Sequence, residues 1–474
     1  MADNRLYQKP LWRVTNNERR FILLVGDVLA SGISLIFALY FWAMKDQWMD
    51  FSWRFLRERP PDWYYLLPII WLIFLIEIYD VRRASKKIDT VKGIALATAL
   101  STAIYLFIFF ISDPGSLPRR GVAGFIVAAA LLTFFWRLVY IRIFTAPLFL
   151  RRILIIGAGR AGLTFARMVS ELDPAPFFLV GFIDDDPKKL GKKYTNLSVK
   201  GGSGDLQEII KSEQITDLVF SITGEMKPSM YGAILKAEEQ GIEVITMPVI
   251  YEELFGRVPI TLLQDDWVLR SFVDRAHASA SYELFKRLLD LLIAGIGIFI
   301  LVLLFPLISF IIIIDDGFPV IFKQMRMGKN GEKFYLLKFR TMCREAEKDG
   351  VARFAVENDE RVTRIGKFFR KSHLDELPQF INVLRGDISM VGPRAERPEI
   401  ITTLQKKVPF YRARLFVKPG VTGWAQINYH YASNIEETSI KLEYDLYYIM
   451  HRNIMLDLMI IFRTIGAVFG FRGL

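Results

Sequence analysis

The chain has 474 residues, 52% of them apolar and 23% charged, with 61 Lys and Arg against 50 Asp and Glu and a formal charge of +11. That length suits about three domains, and a positive mean hydropathy excludes a wholly soluble or disordered protein. The excess of cations favours an anionic partner, whether a membrane surface, a nucleic acid or a phosphorylated substrate. Cys343 is the single cysteine, which excludes an intrachain disulfide framework and a cysteine metal knuckle.

Four apolar stretches fill the first third, 21–43, 63–79, 94–111 and 122–140, each approaching the roughly 20 residues of a spanning helix. The first is too long for a cleavable leader, and three more follow it. Arg5, Lys9, Arg13, Arg19 and Arg20 precede the first stretch, and Arg82, Arg83, Lys86, Lys87 and Lys92 lie between the second and third. The other loops are poorer in net positive charge, so the positive-inside rule puts the N-terminus in the cytoplasm and returns the chain there at Arg142, Arg151 and Arg152. A four-helix transmembrane bundle over 1–149 follows. Asp27, Glu77 and Arg137 are its only intramembrane charges, and a bundle that pairs them explains them better than a functional site.

From Arg152 the pattern changes to strand, turn and helix. The run 153–156 leads into Gly157-Ala158-Gly159-Arg160-Ala161-Gly162, and later apolar runs at 177–183, 217–221 and 242–247 alternate with helical segments. This predicts a parallel α/β, Rossmann-like module over 150–250. Gly157, Gly159 and Gly162 match the dinucleotide fingerprint, in which a tight turn brings backbone N–H groups to a pyrophosphate at a helix N-terminus. Asp184, 22 residues past Gly162, stands where a ribose-binding acid is expected. Glycines that only close a strand-to-helix turn, with 184–186 as a solvated acidic turn, fit the same residues. The fingerprint therefore predicts a nucleotide-type ligand and no chemistry, and the module is expected to be regulatory or structural.

A linker over 251–281 precedes a fifth apolar run, 288–314, which holds Asp290 near its start and Pro306 well inside. Arg275, Lys286 and Arg287 precede it, and Lys323, Arg326, Lys329, Lys333, Lys338 and Arg340 follow it, so both flanks read as cytoplasmic. A helix that breaks at Pro306 and leaves on the side it entered reconciles the charges, and an ordinary span with a proline kink fits the composition equally well. Tyr282 and Lys286 have the Tyr-x-x-x-Lys spacing used by nucleotide-sugar dehydratases. Lys286 is more simply a membrane-surface cation, however, and the preceding module is short for a dehydratase domain.

Beyond this run come Lys338-Phe-Arg340-Thr-Met342, then Arg370 and Leu374-Asp375-Glu376-Leu-Pro378-Gln379, then Val391-Gly392-Pro393-Arg394 and Pro419-Gly420-Val-Thr422-Gly423-Trp-Ala-Gln426. Two adjacent carboxylates among arginines at a membrane surface suit a divalent cation with a phosphate, and a carboxylate can itself attack phosphorus. An acid pair stopped by Pro378 is the plain structural reading. His373 reads as a polar turn residue, and His277, His430 and His451 show no metal-ligand spacing. The aromatic and basic run 410–416 could meet a nucleic acid, but beside five apolar runs a face laid on anionic headgroups is the cheaper explanation. The run 456–469, broken by Asp457 and Arg463, fits an interfacial helix better than a span.

Taken together and in order, these motifs resemble the catalytic region of bacterial sugar transferases, also called polyisoprenyl-phosphate hexose-1-phosphate transferases or monotopic phosphoglycosyl transferases. The whole chain is similar to the large members, which add a four-helix membrane bundle and a nucleotide-binding-like module. The resemblance implies an α-rich monotopic phosphoglycosyl transferase domain over 282–474 with a re-entrant membrane helix at 288–314, at the cytoplasmic face of the bacterial inner membrane. It implies transfer of a sugar 1-phosphate from a UDP-sugar to undecaprenyl phosphate with release of UMP, starting exopolysaccharide, capsule or O-antigen repeat-unit assembly. By the same resemblance Asp375 matches the nucleophile, Glu376 the Mg²⁺-binding acid with Asp375 beside it, and Lys338, Arg340, Arg370 and Arg394 the phosphate-facing cations. Gln379, Pro393, Thr422 and Gln426 are carried over as substrate-binding residues. The implied partners are the UDP-sugar, undecaprenyl phosphate and inner membrane lipids, with no nucleic acid; a homo-oligomer is left open. Two positions depart from the family pattern: Phe305 stands before the proline where a Ser is common, and His373 stands before Leu374 where Ser or Thr is common. A membrane-bound NAD-dependent dehydratase or epimerase, and a non-enzymatic scaffold for polysaccharide export, remain the alternatives.

Overall fold

The protein is seen in a computed structural model that describes residues 16–44, 50–79, 81–111, 118–144, 151–173, 175–194, 196–262, 279–343, 361–429 and 434–469. The chain divides into two compact units, Met1–Met247 and Pro248–Leu474.

Three helices of the first unit are long and apolar enough to cross a bilayer: Glu18–Ala43, Lys87–Phe110 and Arg119–Phe144. The second apolar stretch is a broken helical run, with a 3-10 turn at Asp62–Leu66, a helix at Leu67–Phe74 and a further 3-10 turn at Ile76–Tyr79. Pro68 sits in the first turn of the middle piece, where its missing N–H costs no helical bond. Trp71 and Leu75 from this run join Phe55, Tyr64, Phe125 and Ala129 in the bundle core. The intramembrane charges pair as expected. Arg137 donates to Asp27 from Nη2 at 2.5 Å and from Nε at 3.3 Å, and from Nη1 to the Ile78 carbonyl at 2.7 Å, with both side chains fully buried. The side chain of Glu77 lies outside the described residues.

The α/β module is a six-stranded sheet of order β3-β4-β2-β1-β5-β6, built from β1 (Arg152–Ile156), β2 (Phe178–Ile183), β3 (Lys193–Tyr194), β4 (Leu197–Gly201), β5 (Asp217–Phe220) and β6 (Glu243–Thr246). All pairings are parallel except β3 with β4. Ile153, Leu154, Ile155 and Ile156 are completely buried, as a central parallel strand covered on both faces requires. The short hairpin β3–β4 has no apolar run to announce it, and sequence reading misses it.

In the second unit a single 37-residue helix, Ala280–Asp316, carries Pro306 in its interior. At 1.5 Å per residue it is about 55 Å long. Asp290, Ala294, Gly297, Leu301, Ile308 and Ile312 form its buried stripe at helical spacing, while Leu292, Phe299, Leu303 and Phe310 stay exposed. Gly297 permits the packing, because a Cβ there would stand 2.4 Å from the Phe380 ring. Around this helix lie the antiparallel hairpin β7 (Ile321–Met327) and β8 (Lys333–Phe339), the parallel pair β9 (Ser389–Val391) and β10 (Gly420–Thr422), and the helices Arg364–Lys371, Gln379–Arg385, Ile435–His451 and Ile454–Phe469.

Residues 251–262, read from the sequence as the start of a linker, pack into this unit. Val258 and Ile260 enter its core beside Val383 and Trp424, Trp424 Nε1 donates to the Gly256 carbonyl at 2.6 Å, and Val258 N–H donates to the Glu443 carbonyl at 3.1 Å. Lys286 is not the surface cation expected. It is partly buried, paired with Asp457 at 3.0 Å, and it also donates to the Val391 carbonyl and the Tyr448 hydroxyl, both at 3.0 Å. Tyr282 donates to the same Asp457 at 2.9 Å, so the Tyr-x-x-x-Lys spacing serves to lock the long helix onto the C-terminal one.

Removing one member of the buried pair in the bundle leaves an uncompensated charge, which costs about 3–5 kcal/mol, whereas replacing both is close to neutral. Asp27→Ala should therefore lower the thermal midpoint of the detergent-solubilised protein sharply, and Asp27→Ala with Arg137→Met should recover most of the loss.

Candidate active site

The acid pair sits on a tight turn. His373, in the left-handed region at φ 56°, reverses the chain after the helix Arg364–Lys371, and Leu374–Glu376 then forms one 3-10 turn stopped by Pro378. Leu374 and Leu377 anchor the turn in a cluster with Leu301, Ile308 and Ile312 of the long helix and with Phe339 and Phe369. The turn that carries the carboxylates is thereby packed against the second half of the long helix.

Lys338, near the end of β8, reaches Glu376 Oε1 at 2.6 Å, and Arg394 Nη2 stands 3.8 Å from the same oxygen. Asp375 is 7% exposed, and among the described residues no hydrogen bond holds its carboxylate. The two acids are driven apart electrostatically. Burial pushes the Asp375 carboxyl up to about 6, against the pull of Lys338 and with the help of the Glu376 charge. Burial acts on Glu376 in the same direction, but Lys338 and then Arg394 outweigh it and hold that carboxyl down at about 2. One acid is thus locked and ionised, and its neighbour, with no hydrogen bond among the described residues, has its pKa raised to about 6.

The four cations named from the sequence separate into two roles. Lys338 and Arg394 face Glu376, and Arg370 acts electrostatically on Asp375 while its Nε donates to Thr341 Oγ1 at 3.0 Å. Arg340 turns to the foot of the long helix, where Nη2 donates to the carbonyls of Asp316, at 2.9 Å, and Gly317 and stands 3.3 Å from the Asp316 carboxylate. It answers the unpaired carbonyls and negative end of that helix. Phe305 packs its ring 5.8 Å from that of Phe339, so the residue in place of the family's serine joins the apolar support of β8.

The glycine-rich motifs hold one another. A Cβ on Gly420 would stand 2.1 Å from Gly392 N, and one on Gly423 would stand 2.1 Å from Gly392 O. Only bare backbone lets β9 and β10 approach this closely, and Gly420 N–H donates to the Pro393 carbonyl at 2.9 Å. Pro393 therefore acts through its backbone. Thr422 pairs its hydroxyl with that of Thr464 at 2.6 Å, and Gln426 Nε2 donates to the Val421 carbonyl at 3.2 Å. Gln379 is buried at the start of its helix. The structure thus brings Lys338, Arg370, Asp375, Glu376 and Arg394 together and uses Pro393, Thr422 and Gln426 in the frame around them.

Sequence reading assigned no role to Asn382, which is fully buried. Its Oδ1 accepts from Leu337 N–H at 3.0 Å and its Nδ2 donates to the Tyr335 carbonyl at 2.8 Å and to Asp387 at 2.9 Å. It clamps β8 beside Lys338, and the available signal was an amide set between Ile381 and Val383 in the helix Gln379–Arg385.

In the α/β module, Gly157 has φ +102°, and Gly162 lies so close to it that a Cβ would meet the Gly157 carbonyl at 2.2 Å; Gly159 faces open space. Asp184 folds back onto this loop. Its Oδ2 accepts from Ala158 N–H and from Lys189, both at 2.8 Å, and its Oδ1 accepts from Asp186 N–H at 3.0 Å. Although burial opposes it, Lys189 and these N–H groups hold the Asp184 carboxyl below the usual range.

Fold and site together define a membrane protein in which a cation-lined pair of carboxylates is set against an apolar helix. The family model for bacterial sugar transferase matches residues 281–471, and a CoA-binding domain model matches residues 75–248. The chain is 44% identical over 137 residues to a putative undecaprenyl-phosphate N-acetylgalactosaminyl 1-phosphate transferase of Bacillus subtilis, covering 29% of this chain and 76% of that protein. It is 41% identical over 186 residues to the uncharacterized sugar transferase EpsL of the same organism, covering 39% of this chain and 86% of that protein. The chain belongs to the bacterial sugar transferase family. It is also 41% identical over 227 residues to the UDP-N-acetylgalactosamine-undecaprenyl-phosphate N-acetylgalactosaminephosphotransferase of Aeromonas hydrophila, covering 48% of this chain and 52% of that one. The matches span about half the length of the larger curated relatives.

The glycine geometry separates the two loops experimentally. Gly420→Ala forces a Cβ into backbone, an overpacking worth about 1–3 kcal/mol or more, and should lower the thermal midpoint and the yield of folded protein. Gly159→Ala meets nothing and should leave both unchanged.

Proposed function

We propose that this protein transfers a sugar 1-phosphate from a UDP-sugar to undecaprenyl phosphate at the cytoplasmic face of the inner membrane, through a covalent intermediate on Asp375. The observation that carries the reading is the unpartnered, buried Asp375 beside a Glu376 locked by Lys338 and Arg394. An Asp375 oxygen attacks the β-phosphorus, the bond from that phosphorus to the bridging oxygen breaks, and UMP leaves with the electron pair. An oxygen of the lipid phosphate then attacks the same phosphorus and the Asp375 carboxylate departs, so donor and acceptor need not occupy the site together. Lys338, Arg370 and Arg394 provide fixed positive charge where the phosphoryl oxygens gather negative charge. The product opens assembly of an exopolysaccharide, capsule or O-antigen repeat unit.

Among the described residues no group of three ligating side chains occurs. The site offers Glu376 and Asp375, which suits Mg²⁺ arriving on a diphosphate better than an all-protein cage, since Mg²⁺ is commonly held by one or two carboxylates together with substrate phosphates. Bound there, Mg²⁺ would supply charge neutralisation on the diphosphate.

A re-entrant course for residues 288–314 is part of the proposal. Its support is that the long helix is tied to the same catalytic unit at both ends, through Asp290 to Ser389 and Met390 N–H at 3.0 and 2.9 Å, and through the Asp316 carbonyl to Arg340 at 2.9 Å. A helix crossing roughly 30 Å of hydrocarbon could not keep both attachments to a unit on one side. Tags at Ser279 and Gly331 should both be inaccessible from the periplasm, and periplasmic labelling at Gly331 alone would overturn the topology.

The mechanism is tested by intact mass after mixing with Mg²⁺ and a panel of UDP-sugars headed by UDP-glucose and UDP-N-acetylgalactosamine, without lipid. A sugar-phosphate adduct is expected on the wild type and none on Asp375→Asn. The nucleophile must be deprotonated, so kcat/KM for UMP release should rise with pH through about 6 and then level. Lys338→Met removes a cation that lowers the Asp375 pKa and should move this limb upward. Glu376→Gln removes a negative charge that raises it and should move the limb downward. Turnover that demands a ternary complex, with no adduct, would refute the covalent route.

A further inference from the structure

We infer that Arg414 is a positioning residue for transfer, fixing the backbone of Arg394 and through it the guanidinium that stands beside Glu376. This inference rests on the transferase reading of the Asp375 site. In the sequence Arg414 belongs to the aromatic and basic run 410–416, which reads as a face for anionic headgroups. The structure turns it inward, to 4% exposure. Its Nη2 donates to the Arg394 carbonyl at 3.2 Å and to Asp445 Oδ2 at 2.8 Å, and its Nη1 donates to the Tyr411 hydroxyl at 2.8 Å and stands 3.5 Å from Glu396 Oε1. Only a planar fork satisfies these directions at once; an ammonium on a lysine stem would not.

The segment 394–396 is gripped from other sides too. Arg326 Nη1 donates to the Ala395 carbonyl at 2.9 Å, Met327 N–H donates to the Glu396 carbonyl at 3.0 Å, and Lys441 Nζ reaches Glu396 Oε1 at 3.4 Å. Burial would raise the Glu396 carboxyl, but Lys441, Arg414 and Arg326 hold it down at about 2, so Glu396 keeps its charge across the working pH range, while burial raises the carboxyl of Asp445 on the other side of Arg414. The grip matters because the Arg394 guanidinium stands 3.8 Å from Glu376 Oε1, and where it can reach is set by where its backbone is held. That backbone is pinned by the bridge to Gly420 and by Arg414. A displacement of about 1 Å in a charge meant for a developing phosphoryl oxygen can cost a hundredfold in rate.

A double-mutant cycle on the full-length, membrane-extracted protein separates positioning from general stability, with UMP release as the readout. Arg414→Lys alone should lower kcat/KM by about tenfold, or about 1.4 kcal/mol, mainly through kcat, at an unchanged acid limb. In an Arg394→Gln background the same Arg414→Lys change should cost less than about twofold, because the group it positions is gone. Equal losses in both backgrounds, or no loss in either, would overturn the inference. Should Arg414→Lys not be recovered folded, Tyr411→Phe, which removes one acceptor of the fork and keeps the ring, carries the same cycle and the same pair of outcomes. A wild type that releases no UMP with any UDP-sugar would remove the transferase reading and this inference with it; an active wild type with additive losses removes this inference alone.

Discussion

The ion pair between Lys338 and Glu376, 2.6 Å long and largely buried, is the interaction on which the catalytic unit depends. A carboxylate taken out of water needs a cation at close range, and Lys338 meets that need at Glu376, while the adjacent Asp375 is held by no hydrogen bond among the described residues. Much of the surrounding structure keeps the two ends of this pair in place. Asn382 fixes the strand that carries Lys338, the leucines at 374 and 377 fix the turn that carries Glu376, and the glycine contact between β9 and β10 brings Arg394 to the far side. Two adjacent acids acquire opposite pKa shifts from this arrangement, the environment that two separate tasks would need.

The long apolar helix is the second organising element, and it acts as scaffold as well as membrane segment. Its buried stripe continues on both sides of Pro306, first against Asp290's partners on β9 and then against Phe339, Phe369 and the leucines of the acid turn. The exposed apolar side chains of the helix and those that support the acid turn are therefore less than one helical turn apart. An acceptor whose phosphate lies at the bilayer surface and whose tail lies within it suits a reactive carboxylate at such a boundary. Arg340, the residue just after β8, shows the same helix being held from the other end, because its guanidinium bonds to the Asp316 carbonyl at the helix C-terminus.

Much of this was legible in the sequence, for identifiable reasons. Apolar length marked the spanning helices, a run of four aliphatic residues before the glycines marked β1, and the paired acids among cations marked the site. What escaped was whatever depends on a partner distant in sequence. Lys286 reads as a surface cation because Asp457, 171 positions away, is invisible from its neighbourhood. Arg414 reads as a membrane contact because Asp445 and the Arg394 carbonyl lie on other elements. Pro393, Thr422 and Gln426 attract notice as motif residues, and in the structure the Pro393 carbonyl, the Thr422 hydroxyl and Gln426 Nε2 bond to the frame, while Gln426 Oε1 is buried without a hydrogen bond among the described residues. Motif density reports close backbone approach as readily as ligand contact, and only the glycine contacts separate the two. The second apolar stretch shows the converse: length and composition were sufficient for a span, and local 3-10 turns still interrupt it.

The α/β module carries the same lesson into its glycine loop. A carboxylate has about four acceptor positions, and Asp184 has committed three of them to Ala158, Asp186 and Lys189. A dinucleotide bound in the ordinary way would need both the Ala158 N–H and a free acid for its ribose, and here each is satisfied by the other. The loop is closed on itself by an intramolecular anion at the place where a pyrophosphate would otherwise draw the N–H groups together. That self-closure disfavours a redox role for the module. It also leaves Tyr282 and Lys286, committed to Asp457 in the other unit, as no substitute for a dehydratase pair. Among the described carboxylates of the second unit, Asp375 is then the one that burial raises beside Lys338 and Arg370 with no hydrogen bond to hold it, which is why the proposed chemistry is placed there.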